Sequence, residues 1–324
     1  MTDRPVRVAI LGWARLSAQA REGSGYNLNA SELATGLALS GHSVFFLRSG
    51  MHYTTVRPRP FVKETETWRG IRCFSLYNSR NLSPAATNFR NPEQEASSPR
   101  DNRVVLAWLL AVGAEVVHVH SLEGFAMDLI GEIRAAGLPV VVTTHNYHYG
   151  CPQVDLLHKE RDCCLDYRGG ERCVGCLTAP DPRRARRNRS IQQDLERAVG
   201  AELSTGLQKT AKLVRSALTG GEPPNRRGPE DQVKPDPEVA MGFGPGGPEH
   251  PGTFQHGLEV VARDKIEPLG RAPVDANERF ERSGDLHLRV VNEYGKRRRD
   301  GIAALNSASL VTPPSAFMCR AYEA

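Results

Sequence analysis

Three groups of residues in this chain have types and spacing suited to chemistry. The first joins Glu115-Val-Val-His-Val-His-Ser121 and Glu123 to Pro139-Val-Val-Val-Thr-Thr-His-Asn146. Each stretch is a short apolar run that ends in side chains able to donate, accept or carry a proton. Two such runs separated by a helix-patterned segment read as neighbouring buried parallel strands. The carboxyl ends of strands in an open α/β sheet are where ligands bind. His120, Ser121, His145 and Asn146 are therefore expected to converge on one crevice. His120 is the candidate catalytic residue, because an imidazole of ordinary pKa can orient or deprotonate a hydroxyl. His118 is expected on the opposite sheet face, outside the site. Asn146 can position a hydroxyl but cannot act as a base. The bland alternatives are hydrogen-bonded structural histidines and a turn-forming asparagine.

The second group is Gly23-Ser24-Gly25, between a strand pattern and a helix pattern. Glycines there let backbone N–H groups approach a phosphate at a helix N-terminus. A flexible turn has the same composition, and the full dinucleotide fingerprint is absent. The third group is Cys151, Cys163, Cys164, Cys173 and Cys176. Cys173-Val-Gly-Cys176 has zinc-knuckle spacing, which Cys151 and one of Cys163 or Cys164 would complete as a four-thiolate site. Such a site would hold a structural Zn²⁺. Simple reduced thiols are the other reading. No cofactor is required for the chemistry expected of the histidines.

The elements that must position these groups follow an alternating strand and helix order. Val6 to Leu11 reads as a strand closed by Gly12. A helix capped by Asn29, with Glu32 at the capping-box position, follows and ends at Gly41. His42 to Arg48 is the next strand, which makes the opening a right-handed βαβ unit. Residues 52–76 suit further short strands, and 78–102 a long loop. Val104 to Val112 suits a helix, as does about 123–136, between the two histidine-bearing strands. Arg183 to Val199 and Tyr294 to Leu305 are helix-forming, and Ser309 to Ser315 suits a strand and turn. From Gly220 to Gly252, 16 of 33 residues are Gly or Pro. Residues 201–285 thus read as a low-complexity, disordered insertion, leaving 1–200 and 286–324 as the folded domain.

Composition narrows the class. The 324 residues carry 42 Lys and Arg against 37 Asp and Glu, a net charge of +5. That balance does not require a nucleic-acid partner, and no nucleic-acid module is present. No apolar run is long enough for a transmembrane helix, and the N-terminus lacks a signal-peptide pattern. With seven cysteines, an odd number, a reducing compartment fits better than a disulfide framework, so a cytoplasmic location is expected. The basic runs Arg183-Arg-Ala-Arg-Arg-Asn-Arg189 and Lys296-Arg-Arg-Arg299 suit a solvated face or a peripheral contact with anionic membrane.

Several ordered pieces together resemble the N-terminal half of a family 4 glycosyltransferase of the GT-B fold. They are Val8-Ala-Ile-Leu-Gly12, Gly23-Ser-Gly-Tyr26, Glu32 to Val44, Val116-Val-His-Val-His120, Val142-Thr-Thr-His-Asn146 with Cys151-Pro152, and Ala308-Ser-Leu-Val-Thr-Pro-Pro-Ser315. The resemblance implies a Rossmann-like parallel sheet with helices on both faces, one half of a GT-B fold. It implies retaining transfer from a nucleotide-sugar donor to a saccharide or lipid-linked acceptor. His120 would lie near the acceptor, Gly23, Ser24 and Gly25 near the donor's diphosphate, and Ser121, Glu123, His145 and Asn146 around the sugar. The family often has Asp where this chain has Asn146. Its C-terminal domain, marked by two glutamates with seven residues between them, holds most of the donor. Glu222, Glu230 and Glu238 repeat that spacing among prolines without a strand or helix pattern, which reads as chance. The chain then reads as either a truncated enzyme or one that needs a separate C-terminal domain chain, and activity of this chain alone is not expected. The alternative is a non-catalytic binding module, or a degenerate remnant, with a zinc-stabilised loop.

Overall fold

The structure is a computed structural model that describes residues 4–18, 24–200, 203, 281–313, 315 and 318. These belong to one unit, built from 1–206 and 279–324. The expected insertion at 201–285 lies outside the described residues, apart from Leu203 and the first turn of a helix beginning at Glu281.

A seven-stranded, mostly parallel sheet forms the centre, in the order β3-β4-β2-β1-β5-β6-β9. Its strands are β1 (Arg7–Gly12), β2 (Ser43–His52), β3 (Phe61–Trp68), β4 (Ile71–Tyr77), β5 (Val116–Val119), β6 (Val140–Thr143) and β9 (Leu310–Thr312). Only β3 is antiparallel to its neighbour. Two-residue strands β7 (Leu157–His158) and β8 (Asp162–Cys163) pair separately within the cysteine-rich loop. The architecture is therefore Rossmann-like α/β, with helices on both faces.

Strand alternation divides the core. Ala9, Leu11, Phe45, Leu47, Val117, Val119 and Val142 face α3 (Pro99–Ala111), α4 (Leu129–Ala135) and the long helix α6 (Glu281–Ser307). Val8, Ile10, Val44, Phe46 and Cys73 face α1 (Ser24–Leu39), which packs through Ala30 and Ala34. Each fully buried large apolar side chain contributes about 1.5–3 kcal/mol, so the helices on both faces contribute to holding the sheet.

Three sequence expectations change here. Residues 78–102 do not form an open loop. They contain a 3₁₀ turn (Ala85–Asn88), the short helix α2 (Pro92–Ala96) and the start of α3. Leu82, Ala85, Phe89, Asn81, Asn88 and Glu95 are all buried, because polar side chains answer their backbone groups. Asn88, for example, accepts from Leu82 N–H at 3.0 Å and donates to Leu82 C=O at 2.8 Å. The helix expected at about 123–136 begins only at Leu129, with turns before it. Asn29 is not a cap, because α1 is already running five residues earlier.

The helix α5 (Pro182–Val199) matches its expected span. Asp181 caps it by accepting from the N–H groups of Arg183 and Arg184 at 2.7 and 3.1 Å, with Pro182 at the first helical position. Among the described residues, no helix is long and apolar enough to cross a membrane.

Candidate functional site

The two histidine-bearing strands are adjacent and parallel, with His118 opposite Val141 and Val119 opposite Val142. His120 follows the end of β5, tied to β1 by its N–H to Leu11 C=O at 2.9 Å. His145 follows β6. Their rings meet: His120 Nδ1 lies 3.0 Å from His145 Nε2, with ring centroids 5.3 Å apart.

His118 joins them, contrary to expectation. Residues two apart on a strand share a face, and the His118 and His120 rings stack at 4.4 Å. His118 Nε2 is 2.8 Å from Thr143 Oγ1, which is 2.8 Å from Thr312 Oγ1 on β9. A polar line thus crosses three strands. The three imidazoles, the two threonines, Pro313 and residues Asn29, Glu32 and Leu33 of α1 surround a cavity of about 490 Å³.

Burial sets the charge of this cluster. It lowers His118 and His145 to about 4, with His145 adding to the effect on His118. It lowers His120 to about 2, helped by both neighbouring histidines. All three are neutral at neutral pH, and each ring is therefore one donor and one acceptor. A group with so low a pKa accepts a proton weakly. His120 is suited to orient a hydroxyl by hydrogen bonding rather than to deprotonate it. Its Nε2 is buried and has no hydrogen-bond partner among the described residues.

Ser121, Glu123 and Asn146 are not in this cavity's lining. Ser121 Oγ accepts from the Glu123 N–H at 3.1 Å, closing a local turn. Glu123 is buried and accepts from Asn146 Nδ2 at 3.0 Å and from the Ala85 N–H at 2.7 Å. Burial raises its pKa, while those two hydrogen bonds oppose the rise. The expected single crevice is thus two neighbouring groups, an imidazole cavity and a carboxyl-centred knot.

Gly23 lies outside the described residues. Ser24 and Gly25 form the first turn of α1 instead of a loop. A Cβ on Gly25 would meet nothing within 4 Å, so no close approach requires glycine there. The glycines under steric demand are Gly50 and Gly124, at φ +74° and +82°. A Cβ on Gly124 would sit 2.5 Å from Ser83 Oγ and 2.6 Å from the Ser49 carbonyl carbon. Ser49 and Ser79 both donate to Gly124 C=O at 2.5 Å. This serine–glycine knot ties the irregular end of β2 to the turn that follows β5.

The cysteine loop gathers differently from the proposed ligand set. Cys163 is exposed, whereas Cys164 is buried. Burial raises Cys173 to about 12, and Cys151, Cys164 and Cys176 add to the rise, so Cys164 rather than Cys163 belongs to the cluster. The Cys176 thiol donates to Gln153 Oε1 at 3.2 Å, and its sulfur accepts from the Lys159 N–H at 3.2 Å. Among the described residues, no three His, Cys, Asp or Glu side chains are grouped to hold a metal ion.

Sequence reasoning missed a second buried group. Arg297, within the Lys296–Arg299 run, is fully buried. It pairs with Glu95 Oε2 through Nε at 2.5 Å and donates from Nη2 to His148 C=O at 2.8 Å. Its Nη2 also lies 3.2 Å from His148 Nδ1. The signal available was the apolar spacing of Val290, Tyr294, Arg297, Ala304 and Leu305 along one helix side.

No family model matches the chain, and no curated protein matches it. One solved structure with detectable similarity is trehalose-6-phosphate from E. coli bound with UDP-2-fluoro glucose. It is 12% identical, with a TM-score of 0.25, over 43% of this chain. The chain spans about a third of that protein's length, 33%. A likeness this loose carries no argument about chemistry.

Proposed function

We propose that this chain is the acceptor-side half of a retaining, nucleotide-sugar-dependent glycosyltransferase. The observation that carries the reading is the neutral imidazole pair, His120 and His145, in contact at 3.0 Å beside a 490 Å³ cavity at the carboxyl ends of adjacent parallel strands. The site lies where open α/β sheets place ligands, and its polar groups are donors and acceptors suited to sugar hydroxyls. The ordered motifs shared with family 4 glycosyltransferases support the same reading.

In this proposal an acceptor hydroxyl, on a saccharide or a lipid-linked saccharide, meets His145 and then His120. The Thr143–Thr312 pair holds His118, and the three stacked rings keep one another in register. Positioning a hydroxyl for attack is a large catalytic contribution in itself. The donor diphosphate would be held mainly by a second domain, with the start of α1 facing it. Stabilising the departing diphosphate would fall mostly to that domain.

The test is turnover with UDP- and GDP-sugars in the presence of a supplied family 4 C-terminal domain. His120→Ala is expected to lower kcat about 10²-fold, the scale of a lost positioning contact. Unchanged turnover in that variant removes His120 from the mechanism. Saccharide binding without turnover under any donor would favour the binding-module reading.

A further inference from the structure

A groove of about 870 Å³ runs between α3 and the edge strand β3, and it shares no lining residue with the imidazole cavity. Its floor is aliphatic and small: Val62 on β3 and Val104, Ala107 and Ala111 on α3. Arg57, Arg59, Arg100 and Arg103 also line it.

The direction of α3 places these features. Asp101 near its start accepts from the Arg80 N–H at 2.7 Å, just beyond the carboxyl end of β4. Val112 after its end accepts from Arg7 Nε at 2.8 Å, at the start of β1. Arg57 stacks over Phe61 at 4.4 Å, and Phe61 pairs with Tyr77 at that same carboxyl end of β4. All four arginines therefore crowd one end of the groove. Ala107 and Ala111 extend away along one helical stripe, and Ala111 lies about 12 Å beyond Arg103. Leu110, 76% exposed, continues that apolar side.

The charge is not compensated locally. Among the described residues none of these four arginines forms an ion pair. The lining carboxylate, Glu64, is engaged by Arg72 at 2.7 Å. Trp108 also lines the groove, is 6% exposed, and has an indole N–H without a partner among the described residues.

We propose that the groove binds a single-chain anionic amphiphile, with its phosphate or carboxylate head among Arg57, Arg59, Arg100 and Arg103 and its aliphatic tail along Val104, Ala107 and Ala111. Guanidinium groups suit such heads because their planar N–H forks match the oxygens. The ligand is one amphiphile molecule, not a bilayer surface. The site goes beyond the glycosyl-transfer reading and does not depend on it.

The experiment is calorimetric titration of the full chain with dodecyl phosphate, kept below its micelle concentration. Saturable binding of one molecule per chain is expected. Exchanging two exposed arginines, Arg100→Gln with Arg103→Gln, is expected to weaken it about tenfold or more, because charge-assisted hydrogen bonds to the head are lost. Ala107→Leu, which fills the tail track, is expected to weaken it while leaving the circular dichroism unchanged. Unaltered affinity in both variants overturns the proposal. So does equal affinity for inorganic phosphate or for neutral dodecyl maltoside, and so does binding to phosphatidylglycerol vesicles alone.

Discussion

The imidazole cluster and the Glu95–Arg297–His148 group have similar ingredients and different surroundings. Both hold buried titratable side chains, and both contain histidines held well below their usual pKa by burial. His145 and His148 even belong to one turn after β6. Yet the first group borders a 490 Å³ cavity, and His148, Glu95 and Arg297 line none of the cavities described here. Arg297 instead ties α6 to α2 and to the backbone after β6. Perturbed titration therefore does not separate binding chemistry from scaffolding in this chain. Open space beside the groups does.

The comparison breaks if the Arg297 group is not structural. Arg297→Leu leaves Glu95 buried without its cation, and removing one partner of a buried pair costs about 3–5 kcal/mol. Urea unfolding of that variant should show a loss of this size. Replacing both partners, Arg297→Met with Glu95→Leu, should recover much of it, because no charge is then stranded. A loss under about 1 kcal/mol in the single variant would mean that α6 docks without the pair.

A second contrast sets Gly124 against Gly25. Gly124→Ala should destabilise by about 2 kcal/mol or more, from left-handed backbone strain together with a clash on Ser83 and Ser49. Gly25→Ala, in open space in a helix, should be neutral or stabilising by up to about 1 kcal/mol. Thermal unfolding of the two variants should move in different directions. If Gly124→Ala is neutral, the serine–glycine knot is not what ties the end of β2 to the turn after β5.

The fold was legible where periodicity was strong. The apolar runs at 116–119 and 140–143 predict adjacent parallel strands, and the helix-forming composition of Arg183 to Val199 predicts the helix found over Pro182–Val199. The packing of 78–102 was not readable, because its polar residues satisfy backbone groups only once the chain has folded onto them. Asn81 donates to Phe125 C=O across 44 positions, and no local pattern encodes such a partner. His118 was misplaced for a simpler reason: a two-residue step is a whole pleat period. Gly23–Gly25 drew attention by composition, whereas Gly50 and Gly124 matter through contacts made far along the chain.

Titration sharpens the contrast more gently. The folded-state pKa of His120 lies at about 2, below the unfolded value near 6.5. Above pH 6.5 neither state binds this proton, so stability is unaffected. As pH falls below 6.5 the unfolded chain takes it up first, and stability drops by about 1.4 kcal/mol per pH unit for each such buried histidine. The drop ends only near the folded pKa. His120→Gln cannot titrate and should lose less stability than the parent between pH 6.5 and 4.5. Parallel urea curves for the two proteins across that range would leave the neutral-cluster picture without support.

The smallest expected effect divides the basic run on α5. Arg189 donates to Gly50 C=O at 2.7 Å and Ser83 C=O at 3.1 Å, and Arg186 to Arg80 C=O at 2.8 Å. These two arginines dock the helix onto the serine–glycine knot, so they are not the free cations the sequence suggested. Arg183, Arg184 and Arg187 are exposed. Arg189→Ala should cost about 1–2 kcal/mol, since it strands Ser83 C=O, while Gly50 C=O keeps the Ser83 N–H at 3.0 Å. Arg187→Ala should stay within about 0.5 kcal/mol. Within this run only the exposed three remain for any contact with anionic membrane. Charge reversal of Arg183, Arg184 and Arg187 should then reduce any vesicle association without shifting the urea midpoint, whereas Arg189→Ala should shift the midpoint.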